Sequence, residues 1–192
     1  LAYLNNIISN TSMQDMSDIN VVFYDGVNEV SERCRKEIEL LGTGREVQIR
    51  NKMKHKEFTF GETFAQLQKF TNLIIQKLSN SNSGGNNAYI CASDANRARH
   101  VANTLVNTWE IASNLVHSQG GKFTAILQPV AFYEDANVNY IDFTSSNDIS
   151  LRSQYQAVYP LIIEAAENRN INFIDLTKIY NSCSNCYIDY CH

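Results

Sequence analysis

The stretch NVVFYDGVNE, residues 20–29, decides the fold class of this chain. Residues 21–24 form a short continuous apolar run that ends at Asp25 and Gly26, and this pattern predicts a buried strand followed by a turn. A strand that is apolar on both faces is typical of a parallel sheet covered by helices on both sides. We therefore expect this segment to have strand neighbours and to be packed between helices.

Two later segments have the same character, at residues 122–128 and 171–176. Segments with apolar residues at helical spacing alternate with them, and the resulting order predicts a parallel α/β sheet with right-handed crossovers. The predicted helices cover residues 1–8, 62–78, 95–116 and 155–166.

Single residues indicate where the longest predicted helix begins and which side of it is buried. Ser93 or Asp94 can cap its first turn, and Trp109 falls on its apolar stripe, which places this side chain in the core. Residues 30–58 are polar and charge-rich, which predicts a helix stub followed by a long surface loop.

Length and charge narrow the class of protein. The chain has 192 residues, enough for one domain, and its net charge of -4 provides no basic field for nucleic acid or an anionic membrane. Hydrophobic residues make up 44% of the chain, which is enough to build a core. No apolar stretch approaches the roughly 18 residues that a membrane span needs. The composition indicates a globular domain and leaves its compartment open.

Polar residues follow two of the predicted strands, at the sheet edge where α/β proteins place their sites. Asp189 lies three residues before His192, so its carboxylate can bond one imidazole nitrogen and leave the other free as a base. Gly26 permits a tight turn, and Asn28 then offers a neutral amide donor suited to stabilising an oxyanion. Each motif has a simpler interpretation, a chance surface pair for the first and a turn or helix cap for the second.

These motifs resemble the SGNH (GDSL-type) hydrolase family. Residues 24–29 match that family's third block, Gly-x-Asn-Asp, and residues 189–192 match its fifth block, Asp-x-x-His. The resemblance spans nearly the whole chain and implies a flavodoxin-like, three-layer α/β/α fold. It also implies that the three predicted strands lie side by side in chain order, as that family's third to fifth strands do. Glu29 departs from the family pattern, which has aspartate at this position.

The resemblance also implies roles for single residues. Asn28 would be an oxyanion-hole donor in the loop that begins at Gly26, His192 the general base, and Asp189 its orienting partner. No cofactor or metal is implied.

The family's nucleophilic serine lies in a Gly-Asp-Ser motif ahead of the Asn block, and a second-block glycine follows it. Neither motif occurs before Gly26, since Ser9, Ser12 and Ser17 have other contexts. We therefore expect residues 1–192 to be a single SGNH-like domain truncated at both ends, without its first two strands. Such a piece would be inactive and poorly stable by itself.

The resemblance implies a serine esterase or acylhydrolase that cleaves small ester or O-acetyl groups through an acyl-enzyme, with an acylated carbohydrate as one substrate class. An acyltransferase of the same fold is the first alternative, and Gln128 would line its acceptor pocket or cap a loop. A non-catalytic flavodoxin-like binding module is the second alternative. A Gly-Asp-Ser segment upstream would favour the enzyme over the binding module.

Three of the five cysteines fall within nine residues near the end of the sequence, at Cys183, Cys186 and Cys191. The spacing of the first two favours a local disulfide or two free thiols over a zinc site or a thioredoxin-like redox motif. The other two, Cys34 and Cys91, are isolated in the sequence. The remaining histidines are expected in solvent; these are His55, His100 and His117.

Overall fold

The computed structural model describes residues 18–36, 38, 88–134 and 136–192. They contain three strands and three helices. The predicted helices at residues 1–8 and 62–78 lie outside the described residues, as does most of the predicted loop. In chain order the elements are β1 (Asn20–Asp25), α1 (Val27–Arg33), α2 (Ala95–His117), β2 (Lys122–Leu127), α3 (Ser146–Asn168) and β3 (Phe173–Asp175).

The three strands form one parallel sheet in the order β1-β2-β3. Asn20 pairs with Lys122 at the start of β1, and Ala125 pairs with Phe173 at the start of β3. The predicted α/β class and the predicted strand order are therefore confirmed.

One face of the sheet carries the core. Phe123, Ala125 and Leu127 alternate along β2 into a buried cluster that also contains the apolar stripes of α2 and α3. Trp109 of α2 is fully buried, as its position in the helix stripe predicts, and its ring packs against Phe173 of β3. Two helices thus cover the same side of the sheet.

On the opposite face of the sheet, apolar side chains of β1 and β3 are about half exposed. Val22 and Tyr24 of β1 are 50% and 51% exposed, and Ile174 of β3 is 44% exposed. The described helices therefore do not bury residues 21–24 on both faces, and the helices predicted at residues 1–8 and 62–78 lie outside the described residues. A continuous apolar run carries no information about which face a helix covers, and here α2 and α3 pack on one face.

Side-chain caps set the start of both long helices. Asp94, not Ser93, caps α2, since its carboxylate accepts hydrogen bonds from the amides of Asn96 and Arg97, both at 3.0 Å. The Ser145 hydroxyl accepts from the Asp148 amide at 3.1 Å and caps α3. Because the first turns of α3 are polar, apolar periodicity predicted its start nine residues too late.

A disulfide joins Cys34, which caps α1, to Cys91 ahead of α2. The two cysteines are isolated in the sequence, and their separation of 57 left no local signal of this pairing. The Arg97 guanidinium reinforces the junction by donating to the carbonyls of Arg33, Arg35 and Ile38. The end of α1 is thereby attached to the start of α2.

Candidate functional site

Asp189 and His192 form the hydrogen bond that their spacing predicts. Oδ2 of Asp189 lies 2.8 Å from Nδ1 of His192. If Nδ1 carries the proton and donates it to the carboxylate, Nε2 is the unprotonated nitrogen and can accept a proton. The His192 side chain is 72% exposed, so an incoming group can reach it.

The carboxylate of Asp189 is held in its charged form. Partial burial raises its pKa, but hydrogen bonds from His192 and from the amides of Cys191 and His192 outweigh that effect and lower the pKa to about 2. Oδ1 accepts both amides, at 2.8 and 2.7 Å, so Oδ2 is left for the imidazole. Asp189 is therefore a permanent anion at neutral pH, which suits an orienting partner.

Residues 189–192, which contain this pair, are bound to the loop that follows β2. The amide of Ala131 donates to the Tyr190 carbonyl at 2.8 Å, and the Tyr190 ring stacks on Phe132 with centroids 5.4 Å apart. Upstream, a local disulfide links Cys183 and Cys186, which is one of the two arrangements that their spacing favours. The pair thus follows the carboxyl end of β2 in space.

Asn28 lies in the first turn of α1, directly beyond the carboxyl end of β1, and is exposed. The turn requires glycine at position 26, where φ is +131°. A Cβ atom there would come within 2.5 Å of the Leu127 side chain. The Glu29 carboxylate accepts the Gly26 amide hydrogen at 3.3 Å, so the departure from the family's aspartate lets this side chain cap its own helix.

Tyr155 of α3 connects the two motifs. Its hydroxyl donates to the Val27 carbonyl at 3.0 Å, next to Asn28, and its ring lies 6.2 Å from that of Tyr190, next to the Asp189–His192 pair. The hydrogen bonds of the described residues do not join Asn28 directly to either member of the pair. A sequence neighbour of each motif, Val27 for one and Tyr190 for the other, therefore contacts the same buried tyrosine.

Searches of family models, curated proteins and solved structures found no match. Among the described residues, no helix is long and apolar enough to cross a membrane.

Sequence reasoning assigned Tyr155 and Tyr159 only to a helix stripe. Their helical spacing identified them as core, but their contacts with Val27 and Gly26 connect residues more than a hundred positions apart and leave no local signal. The Tyr159 hydroxyl is buried without a hydrogen-bond partner in the described structure. Gln128, the candidate for an acceptor pocket, follows β2 directly, and its backbone amide donates to the Asp25 carbonyl at 2.9 Å.

Cys191 also belongs to this cluster. Its Sγ atom lies 3.3 Å from Nδ1 of His192, the contact that a cysteine nucleophile would make with its base. However, burial and the negative charge of Asp189 raise the pKa of the thiol to about 11. Cys191 is therefore a neutral thiol at pH 7, which disfavours a cysteine-based acyl transfer.

A surface cavity of about 260 Å³ lies between α2 and α3, lined by residues that include Arg99, Asn103 and Glu164. None of its lining residues belongs to the predicted site, and it adds nothing to the chemistry of the Asp189–His192 pair.

The carboxyl groups of Asp25 and Glu29, which lie on either side of Gly26 in the sequence, should make the stability of the fold depend on pH. Burial raises the pKa of Asp25 against the opposing hydrogen bond from Trp109, and burial together with the charge of Asp25 raises that of Glu29. The folded protein therefore binds these protons more tightly than the unfolded chain. Their contribution to stability falls as the pH rises above about 4, the ordinary value of such groups.

We expect Asp25→Asn and Glu29→Gln to gain stability relative to the wild type between pH 4 and pH 7, as measured by Tm in circular dichroism. Asp142 provides a control of opposite sign, because side-chain and backbone hydrogen bonds from Thr144 lower its pKa. Asp142→Asn should therefore lose stability relative to the wild type as the pH rises to about 4, because the wild-type carboxylate gains its contribution below the ordinary carboxyl pKa. If the Tm of Asp25→Asn changed with pH in the same way as the Tm of the wild type, the raised pKa assigned to Asp25 would be contradicted.

Proposed function

We propose that this chain carries the general base and an oxyanion-hole donor of a serine esterase or acylhydrolase of the SGNH type. The observation that carries the proposal is the 2.8 Å contact between Asp189 Oδ2 and His192 Nδ1, in a segment packed at the carboxyl end of β2. The position of Asn28 at the carboxyl end of the neighbouring β1 supports it.

The proposed reaction runs through an acyl-enzyme. A serine upstream of β1, where the family has its Gly-Asp-Ser block, attacks the ester carbonyl while His192 Nε2 takes its proton. The carbonyl oxygen becomes an oxyanion that accepts a hydrogen bond from the Asn28 amide. The intermediate then collapses, and His192 returns the proton to the departing alcohol.

Water completes the cycle. His192 removes a proton from a water molecule, which attacks the acyl-enzyme, and a second collapse releases the acid and restores the serine. Asp189 stays ionised throughout and stabilises the imidazolium. The exposure of His192 favours water over a second alcohol as the acceptor, and hence hydrolysis over acyl transfer. Small esters, including O-acetyl groups on carbohydrate, are the proposed substrates.

The pairing of the cysteines indicates the compartment in which such an enzyme would act. Four of the five are paired, in the disulfides Cys34–Cys91 and Cys183–Cys186. Protein disulfides persist in oxidising compartments and are rare in the cytosol. We infer that the enzyme acts outside the cytosol.

The oxyanion role of Asn28 gives a direct test of the proposal. In the intact protein, Asn28→Ala should lower kcat for a short-chain aryl ester by roughly 10²- to 10³-fold, since one donor to the developing charge is lost. KM should change little, because the bond strengthens only in the transition state.

Asn114→Ala is the matched control, since Asn114 is also an exposed helical asparagine but lies in α2 outside the site. It should leave kcat unchanged. Equal turnover by Asn28→Ala and the wild type would contradict the oxyanion role of Asn28. The absence of ester hydrolysis by the intact wild type would contradict the proposed function.

A further inference from the structure

Three different metal-ligating side chains converge in the last segment of the described structure. One oxygen of Asp189, the sulfur of Cys191 and one ring nitrogen of His192 all lie within 4.8 Å of one another. The individual contacts are 2.8 Å between Oδ2 and Nδ1 and 3.3 Å between Sγ and Nδ1. A tetrahedral zinc ion with its usual bond lengths separates neighbouring ligand atoms by about 3.3–3.7 Å. Small side-chain rotations would bring the three atoms to that spacing.

The backbone holds the three residues in a closed turn. Oδ1 of Asp189 accepts the amides of Cys191 and His192, and the His192 carbonyl accepts the amide of Ile188 at 2.5 Å. Tyr190, between the ligands, is fixed by its stacking on Phe132 and by the Ala131 amide. Binding an ion would therefore order few groups that the fold does not already order.

The identity of the ligands selects the class of ion. The Cys191 thiol would release its proton to solvent as the metal binds. The resulting thiolate, the imidazole and the carboxylate together suit a borderline-soft cation such as Zn²⁺ or Co²⁺, and they suit Ca²⁺ or Mg²⁺ poorly. Cys191 is also the free thiol among five cysteines, because the other four form disulfides. The exposure of Asp189 and His192 leaves room for a water molecule in the fourth position.

We propose that Asp189, Cys191 and His192 form a binding site for zinc or a similar cation. An ion bound at this site is coordinated by the imidazole and the carboxylate of the Asp189–His192 pair. If the pair is the catalytic one, a consequence that rests on the proposed function, zinc acts as a reversible inhibitor of the esterase.

Cobalt(II) provides a readout that does not depend on activity. Titrating Co²⁺ into the intact protein, without reductant so that both disulfides stay closed, should produce the near-ultraviolet sulfur-to-cobalt charge-transfer band. Zn²⁺ should displace the cobalt and remove the band. Zn²⁺ should also protect the Cys191 thiol from iodoacetamide, as read by mass spectrometry of the peptide.

Variants assign the ligands. Cys191→Ser should abolish the band, and Asp189→Asn and His192→Ala should each weaken cobalt binding by roughly tenfold or more. His117→Ala, which changes a histidine at the far end of α2, is the matched control and should bind cobalt as the wild type does. The double variant Cys183→Ser/Cys186→Ser should also keep the band, since its thiols are not the proposed ligands.

Persistence of the band in Cys191→Ser, its loss in the Cys183→Ser/Cys186→Ser variant, or cobalt binding without a sulfur band in the folded wild type would overturn the site. Inhibition of ester hydrolysis by Zn²⁺ in the wild type but not in Cys191→Ser would connect the site to the proposed function. A protein that binds cobalt through Cys191 but hydrolyses no ester keeps the metal site and refutes the esterase.

Discussion

Replacing His192 with alanine in the intact protein should lower kcat for a short-chain aryl ester by roughly 10⁴-fold or more, because only substrate binding and the oxyanion hole would remain. The imidazole is the group in the site that can take the proton of a serine hydroxyl, since Asp189 is held as an anion with a pKa of about 2. Steady-state kinetics of the purified full-length protein measure the effect.

Asp189→Asn should have an effect of similar size, about 10⁴-fold, because an amide no longer fixes the tautomer that leaves Nε2 free. His117→Ala controls for the loss of an exposed histidine and should retain full turnover, since His117 bonds Ser113 in α2 and no site residue. Turnover of His192→Ala within tenfold of the wild type would show that His192 is not the base.

The second large effect concerns the link between α1 and α2. Replacing both Cys34 and Cys91 with alanine should lower the free energy of unfolding by roughly 4 kcal/mol, the loop-closure value for two cysteines separated by 57 residues. Both side chains are fully buried, so their loss also removes packing from the core. Urea unfolding of the wild type and the double variant measures the difference.

The double variant Cys183→Ala/Cys186→Ala is the matched control for this measurement. It removes the other disulfide, which spans only three positions, and the same loop-closure argument predicts a loss of about 2 kcal/mol. A larger loss in this control than in the Cys34–Cys91 variant would contradict the view that the long-range disulfide dominates.

The sequence was sufficient to predict the three strands, because each is a short apolar run bounded by turn residues, and their order in the sheet was predicted from the resemblance to the SGNH family. It was not sufficient to predict which face of the sheet is open. Val22 and Phe23 are equally apolar, and only the packing of α2 and α3 makes one exposed and the other half-buried. The start of α3 was not predicted for a related reason. Leu151 and Gln154 are the buried residues of its first turns, too few to give an apolar pattern, and the Ser145 cap sets where the helix begins.

In the candidate site, the Asp189–His192 contact was predictable because it is local, three residues along one turn. The same is true of the Gly26 turn that presents Asn28. The contacts of Tyr155 and the Cys34–Cys91 disulfide were not predictable, because they join distant parts of the chain through the fold. The sequence identified Cys191 only as one of three clustered cysteines, whereas in the structure its sulfur lies close to an imidazole and a carboxylate.

The pairing of β1 with β2 also has a consequence for how the protein is made. Asn20 bonds to the strand that begins at Lys122, so β1 must wait for about a hundred further residues, or roughly 5–20 s at ordinary translation rates. Cys91 and Arg97 are synthesised earlier and can close the α1–α2 junction first. During that interval an unpaired apolar strand is exposed on the ribosome, which makes β1 the segment of this chain that a nascent-chain chaperone should bind.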